Sequence, residues 1–591
     1  MTSADERFVI TFNGEIYNHL DLRKTLERQG AAPRGGWRGS SDTETLLAGA
    51  RAWSIDELLK AAVGMFAFAL WDNEKKQITL ARDRFGEKPL YVSRIGRGIA
   101  FASELKAITG LPGFERQVNW SALQHFLEHG YVQAPATIYA ATGKLVPGSF
   151  VTLSEADVAA IPTSGDFLSG SRQFYWRMID VAMEGLKRPF TGTDGEAVDE
   201  LDSVLSDAVS RQQISDVPIG AFLSGGIDST AIAAFMQVRA SAPIKTFTIG
   251  FEEAEYDESK YAERVAAYLG TDHTTVMMSH AEALERVAGL PAIWDEPFAD
   301  VSQLPMLLLS EAARRIVTVA LSGDGGDELF GGYARYTWTE RAWPKTKRIP
   351  LVLRRTLANA ITTIPPTGWN RILRGLPDRF GGATVSGDRL HKISALLRAT
   401  NLDGFYDHFL SSWRSSTPLL LNGTPPVVPH WSGYPALPTL PETLMFRDAV
   451  DYMPDDVLVK VDRAAMSVSL ETRAPMLDPQ VAAFAWRLPL AQKRSGGMGK
   501  LTLRRLVHRY VPQELVERPK AGFSVPLDAW LRGPMRSWAE DYLSEHALTE
   551  AGLNASAIRR VWRAHLDGSE NHRYFIWNVL TYQAWRNHHF S

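Results

Sequence analysis

An apolar run over 217–223 leads into Ser224-Gly225-Gly226-Ile227-Asp228-Ser229 and then into a helix-like run over 228–238. The pattern predicts a strand, a glycine turn and a helix N-terminus. Ser224, Gly225 and Gly226 let the backbone turn tightly and leave bare N–H groups. The helix adds the positive end of its dipole. Such a corner binds an anion, most naturally a phosphate or pyrophosphate; the same pattern also serves as a plain strand-to-helix connection. Asp228 would repel the anion, so it makes sense with a divalent cation between them.

A second apolar run, 316–321, leads into Ser322-Gly323-Asp324-Gly325-Gly326-Asp327-Glu328. Alone, this reads as a solvated acidic turn. Beside the first loop, mutually repelling carboxylates suit a magnesium site. The strands and helices between 194 and 270 alternate: an amphipathic helix through Leu201, Val204, Leu205, Ala208 and Val209, then strands at 217–223 and 246–251, then a helix at 257–269 stopped by Gly270. Alternation of this kind predicts a parallel sheet with ligands at the carboxyl ends of its strands.

The first 150 residues read differently. A strand at 8–12 is followed by a turn signal at Asn13-Gly14, and a helix over 18–29 stops at Gly30. Ser41-Asp42-Thr43-Glu44 has the form of a capping box. Strands are expected at 64–71, 77–81 and 89–93, giving an α+β region with its sheet layered against helices. The polar stretch 154–193 reads as a linker. After 336 the chain reads as helical, with a proline-rich insert at 417–441 that is either a surface loop or part of an acceptor site. A closing amphipathic helix is expected over 574–585, with Trp577 and Trp585 in the core.

A chain of 591 residues can hold two or more full cores. A net charge of −3 makes no electrostatic case for nucleic acid or an anionic membrane as partner. No cysteine occurs, which removes disulfides, thiolate metal sites and a thiol nucleophile. The polar start, Met1 to Arg7, has no signal core, and the longest apolar run, 61–71, is too short to cross a bilayer. A cytoplasmic protein is expected. The histidines show no metal-binding spacing, so zinc is not expected. Gly496-Gly497-Met498-Gly499-Lys500 fails as a Walker loop. Arg494 stands where the first glycine belongs, and Leu501 follows the lysine.

The two glycine loops resemble the ATP-pyrophosphatase, or PP-loop, fold, and more closely the synthetase half of asparagine synthetase B-type glutamine amidotransferases. On the same side, Val459-Lys460-Val461-Asp462-Arg463-Ala464-Ala465-Met466, Glu471-Thr472-Arg473-Ala474-Pro475-Met476-Leu477-Asp478 and Arg518-Pro519-Lys520-Ala521-Gly522-Phe523 resemble that family. So does Asp295-Glu296-Pro297-Phe298-Ala299-Asp300, whose carboxylates read either as orienting groups for acceptor or metal, or as a helix-terminal turn. Asn13-Gly14-Glu15-Ile16-Tyr17-Asn18, Gly64-Met65-Phe66-Ala67-Phe68, Arg82-Asp83-Arg84-Phe85-Gly86-Glu87-Lys88-Pro89-Leu90 and Ala102-Ser103-Glu104-Leu105-Lys106 resemble the family's glutaminase domain, in its order.

The resemblance implies an N-terminal-nucleophile glutaminase domain over 1–153, a linker over 154–193 and an ATP-pyrophosphatase synthetase domain over 194–591. It implies adenylation of the aspartate side-chain carboxylate and attack by ammonia, taken free or from glutamine, to give asparagine and AMP. Asn13, Gly14, Glu15 and Asp42 would hold glutamine. Phe222, Leu223, Ile249, Ser322 and Gly323, with Ser224, Gly225, Gly226, Asp228 and Ser229, would hold ATP. Asp228 and Asp327 would hold Mg2+, and Asp324 would assist formation of the aspartyl-adenylate. Splitting ATP between its α and β phosphates builds charge on pyrophosphate, which fixed cations stabilise; Lys520 and Arg473 are carried over for that role. A homodimer is compatible with the resemblance.

Two departures stand out. Asp324 is one methylene shorter than the glutamate of many relatives. The family's cysteine directly after the initiator Met is absent, together with the strands that follow it. The expectation is therefore an N-terminally incomplete first domain, a natural start upstream opening with Met-Cys, and no glutamine hydrolysis in this chain. The same scaffold closes β-lactam rings and lasso peptides, so another carboxylate is the alternative acceptor; a catalytically silent nucleotide-binding protein is the other alternative.

Overall fold

The computed structural model describes residues 1–162, 166, 168–251, 257–374, 387–413, 417–421, 432–435, 437–517 and 525–590. Three sheets organise them. In chain order the strands are β1 (Phe8–Ile16), β2 (Gly64–Asp72), β3 (Gln77–Arg82), β4 (Tyr91–Ile95), β5 (Gly98–Ala102), β6 (Thr142–Lys144), β7 (Ser149–Ser154), β8 (Arg172–Phe174), β9 (Ile219–Phe222), β10 (Lys245–Phe251), β11 (Asp272–Met278), β12 (Val319–Leu321) and β13 (Glu471–Arg473).

The first sheet is antiparallel with order β1-β2-β3-β7-β8, and a three-stranded sheet β5-β4-β6 lies beside it. Strand β2 explains the layering. Phe66, Phe68 and Leu70 face the helices Asp42–Ala52 and Ile55–Ala61, while Ala67 and Ala69 face Leu90, Val92 and Leu145 around the small sheet. The two-residue period of the strand feeds both cores. The turn expected at Asn13-Gly14 is absent: β1 runs straight through to Ile16, with Gly14 opposite Phe66. Gly14 has φ +148°, and a Cβ there would stand 2.1 Å from the Met65 carbonyl oxygen. The glycine permits close pairing in a strand rather than a hairpin.

The second sheet is parallel, order β11-β10-β9-β12-β13. One face packs Ala221 and Leu223 on Ala231, Ile232 and Phe235 of the helix Ile227–Arg239; the other packs Phe222, Phe247 and Ala320 on Leu309, Ala313 and Leu470. Helices on both faces bury the sheet, as parallel sheets require.

The stretch 154–193 is not a free linker. It holds the helix Glu155–Ala160, strand β8 paired with β7, and the helix Met178–Lys187. Ile161 and Leu168 enter the first core, whereas Met178, Ile179 and Ala182 pack with Trp486 in the second. Few apolar residues anchor it, spaced widely enough to leave a polar composition. The closing helix, Arg573–Phe590, departs from expectation too: residues 575–583 are buried without interruption, so it is enclosed rather than amphipathic. Trp577 and Trp585 are each 1% exposed, as expected of core residues, and Trp585 Nε1 donates to the Asp295 carbonyl at 2.9 Å. The proline-rich stretch lies partly outside the described residues; Leu419 and Leu420 are buried, and Leu420 pairs with Leu553. Among the described residues no helix is long and apolar enough to cross a membrane.

Buried ion pairs join the two halves. Lys88 Nζ lies 2.9 Å from Asp462, and Lys144 Nζ lies 3.0 Å from Glu296 and 3.8 Å from Asp455. Asp455 also accepts from the Ala134 N–H, and Glu296 from the Ile138 N–H, each at 2.7 Å.

Candidate active site

Strands β9 and β12 are neighbours in register, Val319 opposite Ile219. Both glycine loops therefore leave the same edge of the sheet. Ser224 and Ser229 lock the first loop: the Ser224 N–H donates to Ser229 Oγ at 3.1 Å, and the two hydroxyls stand 3.0 Å apart. No side chain caps the helix Ile227–Arg239, so its dipole end faces the loop.

The second loop touches the first at Asp228. A Cβ on Gly323 would lie 2.8 Å from the Asp228 backbone carbon and the Ser229 nitrogen, and one on Gly326 would lie 2.3 Å from Asp228 Oδ1. Only glycine permits this approach. We expect Gly323→Ala, whose Cβ would meet backbone, to weaken ATP binding at least about tenfold, the 1.4 kcal/mol that one displaced contact readily costs. Equilibrium dialysis checks this; unchanged affinity would place the nucleotide elsewhere.

Around this junction opens a cleft of about 530 Å³, within the size range of small-molecule sites. Phe222, Leu223, Ser224, Gly226, Asp228, Ser229, Ser322, Gly323, Asp324 and Asp327 line it. Two lysines enter. Lys500 Nζ bridges Asp228 at 2.5 Å and Asp327 at 2.7 Å, and Lys460 Nζ pairs with Asp300 at 2.8 Å. Burial disfavours both charges, but the facing carboxylates outweigh it and hold each ammonium above its usual range. Burial pushes the Asp324 carboxyl up, against a hydrogen bond accepted from Ser322 Oγ at 2.7 Å. Glu328, beside Asp327, is pushed up to about 7 by burial, and Tyr333 donates to it at 2.6 Å.

Two family models match the sequence, one described as asparagine synthase over residues 200–587 and one as a glutamine amidotransferase domain over 1–163. A Mycobacterium tuberculosis (strain ATCC 25618 / H37Rv) protein named "Putative asparagine synthetase (glutamine-hydrolyzing)" is 34% identical across 98% of this chain and 84% of its own length. "Asparagine synthetase (glutamine-hydrolyzing) 1" of Bacillus subtilis (strain 168) is 31% identical across 99% of this chain and 86% of its own length. The chain belongs to the asparagine synthase family. The amidotransferase match reaches from residue 1 to 163, so the expectation that this domain had lost its opening segment is not borne out.

Within this asparagine synthase family member, the expected ATP residues divide. Gly225 and Ile249 do not line the cleft. Gly225, at φ +71°, turns the loop against Tyr261 and Ala262, and Ile249 is 1% exposed inside the core. Arg473 is a correction. Its guanidinium donates to the Gln212 and Ile214 carbonyls at 2.8 Å and to Glu471 at 2.7 Å, and it lies 3.7 Å from Glu15. With its donors committed there, it does not reach the phosphate loops; only its backbone does, through the Ser322 N–H at 2.8 Å. Lys520 lies outside the described residues.

Lys500 is the cation that the sequence reading set aside. A Walker pattern was the wrong test for it. Its loop reaches the site because a Cβ on Gly499 would stand 2.1 Å from the Gly331 carbonyl oxygen, and one on Gly332 would stand 2.2 Å from Lys500 Cε. Paired glycines beside a lysine were the usable signal.

The expected glutamine residues gather on one edge. Asn13 Nδ2 donates to Ser103 Oγ at 2.9 Å, Gly14 and Glu15 follow on β1, and Asp42 accepts from the Ile16 N–H at 2.8 Å. Burial and the neighbouring Asp42 push the Glu15 carboxyl up to about 7.

For magnesium, the observation that counts is Asp228 Oδ1, buried with no hydrogen-bond partner among the described residues. Two carboxylates converge there, and no cluster of three or more candidate metal ligands exists among the described residues. A cation that takes one or two protein carboxylates and fills its shell with phosphate and water fits this arrangement.

Proposed function

We propose that this chain is an ATP-dependent, amide-forming ligase of the asparagine synthetase type. It adenylates the side-chain carboxylate of aspartate, releases pyrophosphate and transfers ammonia, giving asparagine and AMP. The observation that carries the reading is the Asp228–Lys500–Asp327 constellation where two glycine loops meet.

The first loop and the helix end behind it take the phosphates on bare N–H groups, with Ser224, Gly226 and Ser229 around them. Phe222, Leu223, Ser322 and Gly323 flank the nucleotide. Gly225 and Ile249 support the loop and strand from behind. Asp228 and Asp327 would hold Mg2+, which when bound neutralises charge on the phosphates. Lys500 stands within reach of the same carboxylates and stabilises the departing pyrophosphate, a task shared with Lys520 by resemblance. Asp324, whose proton affinity burial raises, takes as its carboxylate the proton that the attacking nitrogen must lose.

Residues 1–153 form the glutamine-handling half, with Asn13, Gly14, Glu15 and Asp42 as its pocket, and 194–591 the synthetase half. A thioester with glutamine needs a thiol, and none of the 591 residues is cysteine. The glutamine amidotransferase match over 1–163 leaves the expected absence of glutamine hydrolysis unsupported.

Incubation with ATP, magnesium and aspartate is expected to support exchange of labelled pyrophosphate into ATP, with AMP and asparagine accumulating once ammonia is added. ADP and phosphate as products would overturn the reaction class. Exchange with another carboxylic acid but not with aspartate would overturn the acceptor.

A further inference from the structure

Between residues 341 and 374 the chain holds eight lysines and arginines and no aspartate or glutamate. The whole chain carries −3, so these eight charges leave −11 on the remainder. A near-neutral total thus conceals one strongly basic segment, and the fold puts it on the surface. Arg341, Lys345, Lys347, Arg348, Arg355 and Arg371 are exposed, and none of the six pairs with a carboxylate among the described residues.

The helix Leu351–Thr363 lies in this segment, between Pro350 and Pro366. Arg354 and Ala358, one turn apart and buried, set its inner face. The Arg354 guanidinium donates to the Ala399 carbonyl at 2.7 Å, just past the helix Gly387–Arg398. The outer face is apolar where water would favour charge. Val352 is 75% exposed, Leu353 59% and Leu357 49%, and Ala360 is exposed as well. Leu353, Leu357 and Ala360 follow at spacings of four and three, so they form one stripe. Arg355 lies across the outer face from that stripe, past Val352, and Lys347 and Arg348 lead into the helix.

The threonines of this helix turn their hydroxyls onto its own backbone. Thr356 donates to the Val352 carbonyl at 3.0 Å, Thr362 to Ala358 at 3.1 Å and Thr363 to Asn359 at 2.9 Å. Back-bonding of this kind satisfies the hydroxyls without water. Apart from Asn359, the face offers aliphatic groups and cations.

The charges choose the occupant. A second copy meeting this face across a twofold axis would set cation against cation. A nucleic acid would use the cations and leave the leucines in water. An anionic lipid surface uses both, with phosphate headgroups on the cations and the aliphatic side chains in the acyl boundary. We propose that the helix Leu351–Thr363 lies flat on an anionic lipid surface. Val352, Leu353 and Leu357 enter the headgroup–acyl boundary, and Lys347, Arg348 and Arg355 meet the lipid phosphates. Such an attachment is peripheral and needs no membrane-spanning helix. It is independent of the ligase reading.

Flotation of the full chain with vesicles tests this, using phosphatidylcholine alone or mixed equally with phosphatidylglycerol. The chain is expected to float with the mixed vesicles only, and less as salt rises. Leu353→Gln combined with Leu357→Gln should weaken binding at least about tenfold through lost apolar burial. Arg348→Gln combined with Arg355→Gln should weaken it about tenfold through lost headgroup attraction. All four positions are exposed, so urea unfolding of both variants should match that of the original protein. No flotation with the mixed vesicles, flotation unaffected by salt, or flotation kept in full by either double variant would overturn the proposal. So would vesicles being ignored while a DNA duplex is bound, or a dimer forms in sedimentation, through these same side chains.

Discussion

Replacing Lys500 with methionine is expected to cost both stability and chemistry. Lys500 is 7% exposed at its side chain and is shared by Asp228 and Asp327, at 20% and 15%. Removing the lysine between them leaves two largely buried carboxylates facing each other, and losing one partner of a buried pair costs up to about 3–5 kcal/mol. Pyrophosphate exchange should fall on the order of 10²–10³-fold, the cost of removing a preorganised charge from a developing anion. Asp228→Asn separates the two effects. There Lys500 keeps Asp327, so urea unfolding should change little, while exchange falls by a similar factor. Full exchange in either variant would remove that residue from the phosphate site. A Lys500→Met protein as stable as the original would show that the two carboxylates find another cation.

Lys144→Met is expected to have the largest effect on how the halves hold together. Lys144 is the counter-ion of Glu296 and also faces Asp455, all three nearly buried. Its loss should cost about 3–5 kcal/mol in urea unfolding at neutral pH. The pH dependence has a definite sign. Burial already raises the Glu296 carboxyl above 4.5, against the pull of Lys144, and removing Lys144 raises it further. The folded state then binds a proton more tightly than the unfolded one, so the variant gains stability as pH falls through the raised value. The deficit is fullest above that value and shrinks toward 4.5. A deficit independent of pH would mean that lost packing, not charge, sets the cost.

Much of the site was legible before any tertiary contact was known. Ser224 to Ser229 and Ser322 to Glu328 announce themselves because a turn against a phosphate needs bare backbone, and glycine supplies it whatever the rest of the chain does. The strand-helix alternation puts both loops at one edge of a parallel sheet. Patterns of this kind are local and depend only on residues a few positions apart.

Long side chains gave less. Arg473 sits next to β12, as a phosphate ligand could, yet its guanidinium turns to the Gln212 and Ile214 carbonyls at the end of the helix Asp194–Gln212 and toward Glu15. Lys500 stands 272 residues from Asp228 and still closes the site. The enclosed closing helix and the structured 154–193 stretch owe their character to partners brought from elsewhere in the chain.

The sequence by itself determined the two glycine loops, their carboxylates and the order of the two halves, because backbone conformation and strand or helix periodicity are set by near neighbours. Only the tertiary structure decided which cation meets those carboxylates and which residues back the loops without facing the cleft. The physical reason is that a flexible charged side chain takes the partner that packing brings within a few ångströms, and burial then makes that choice costly to undo.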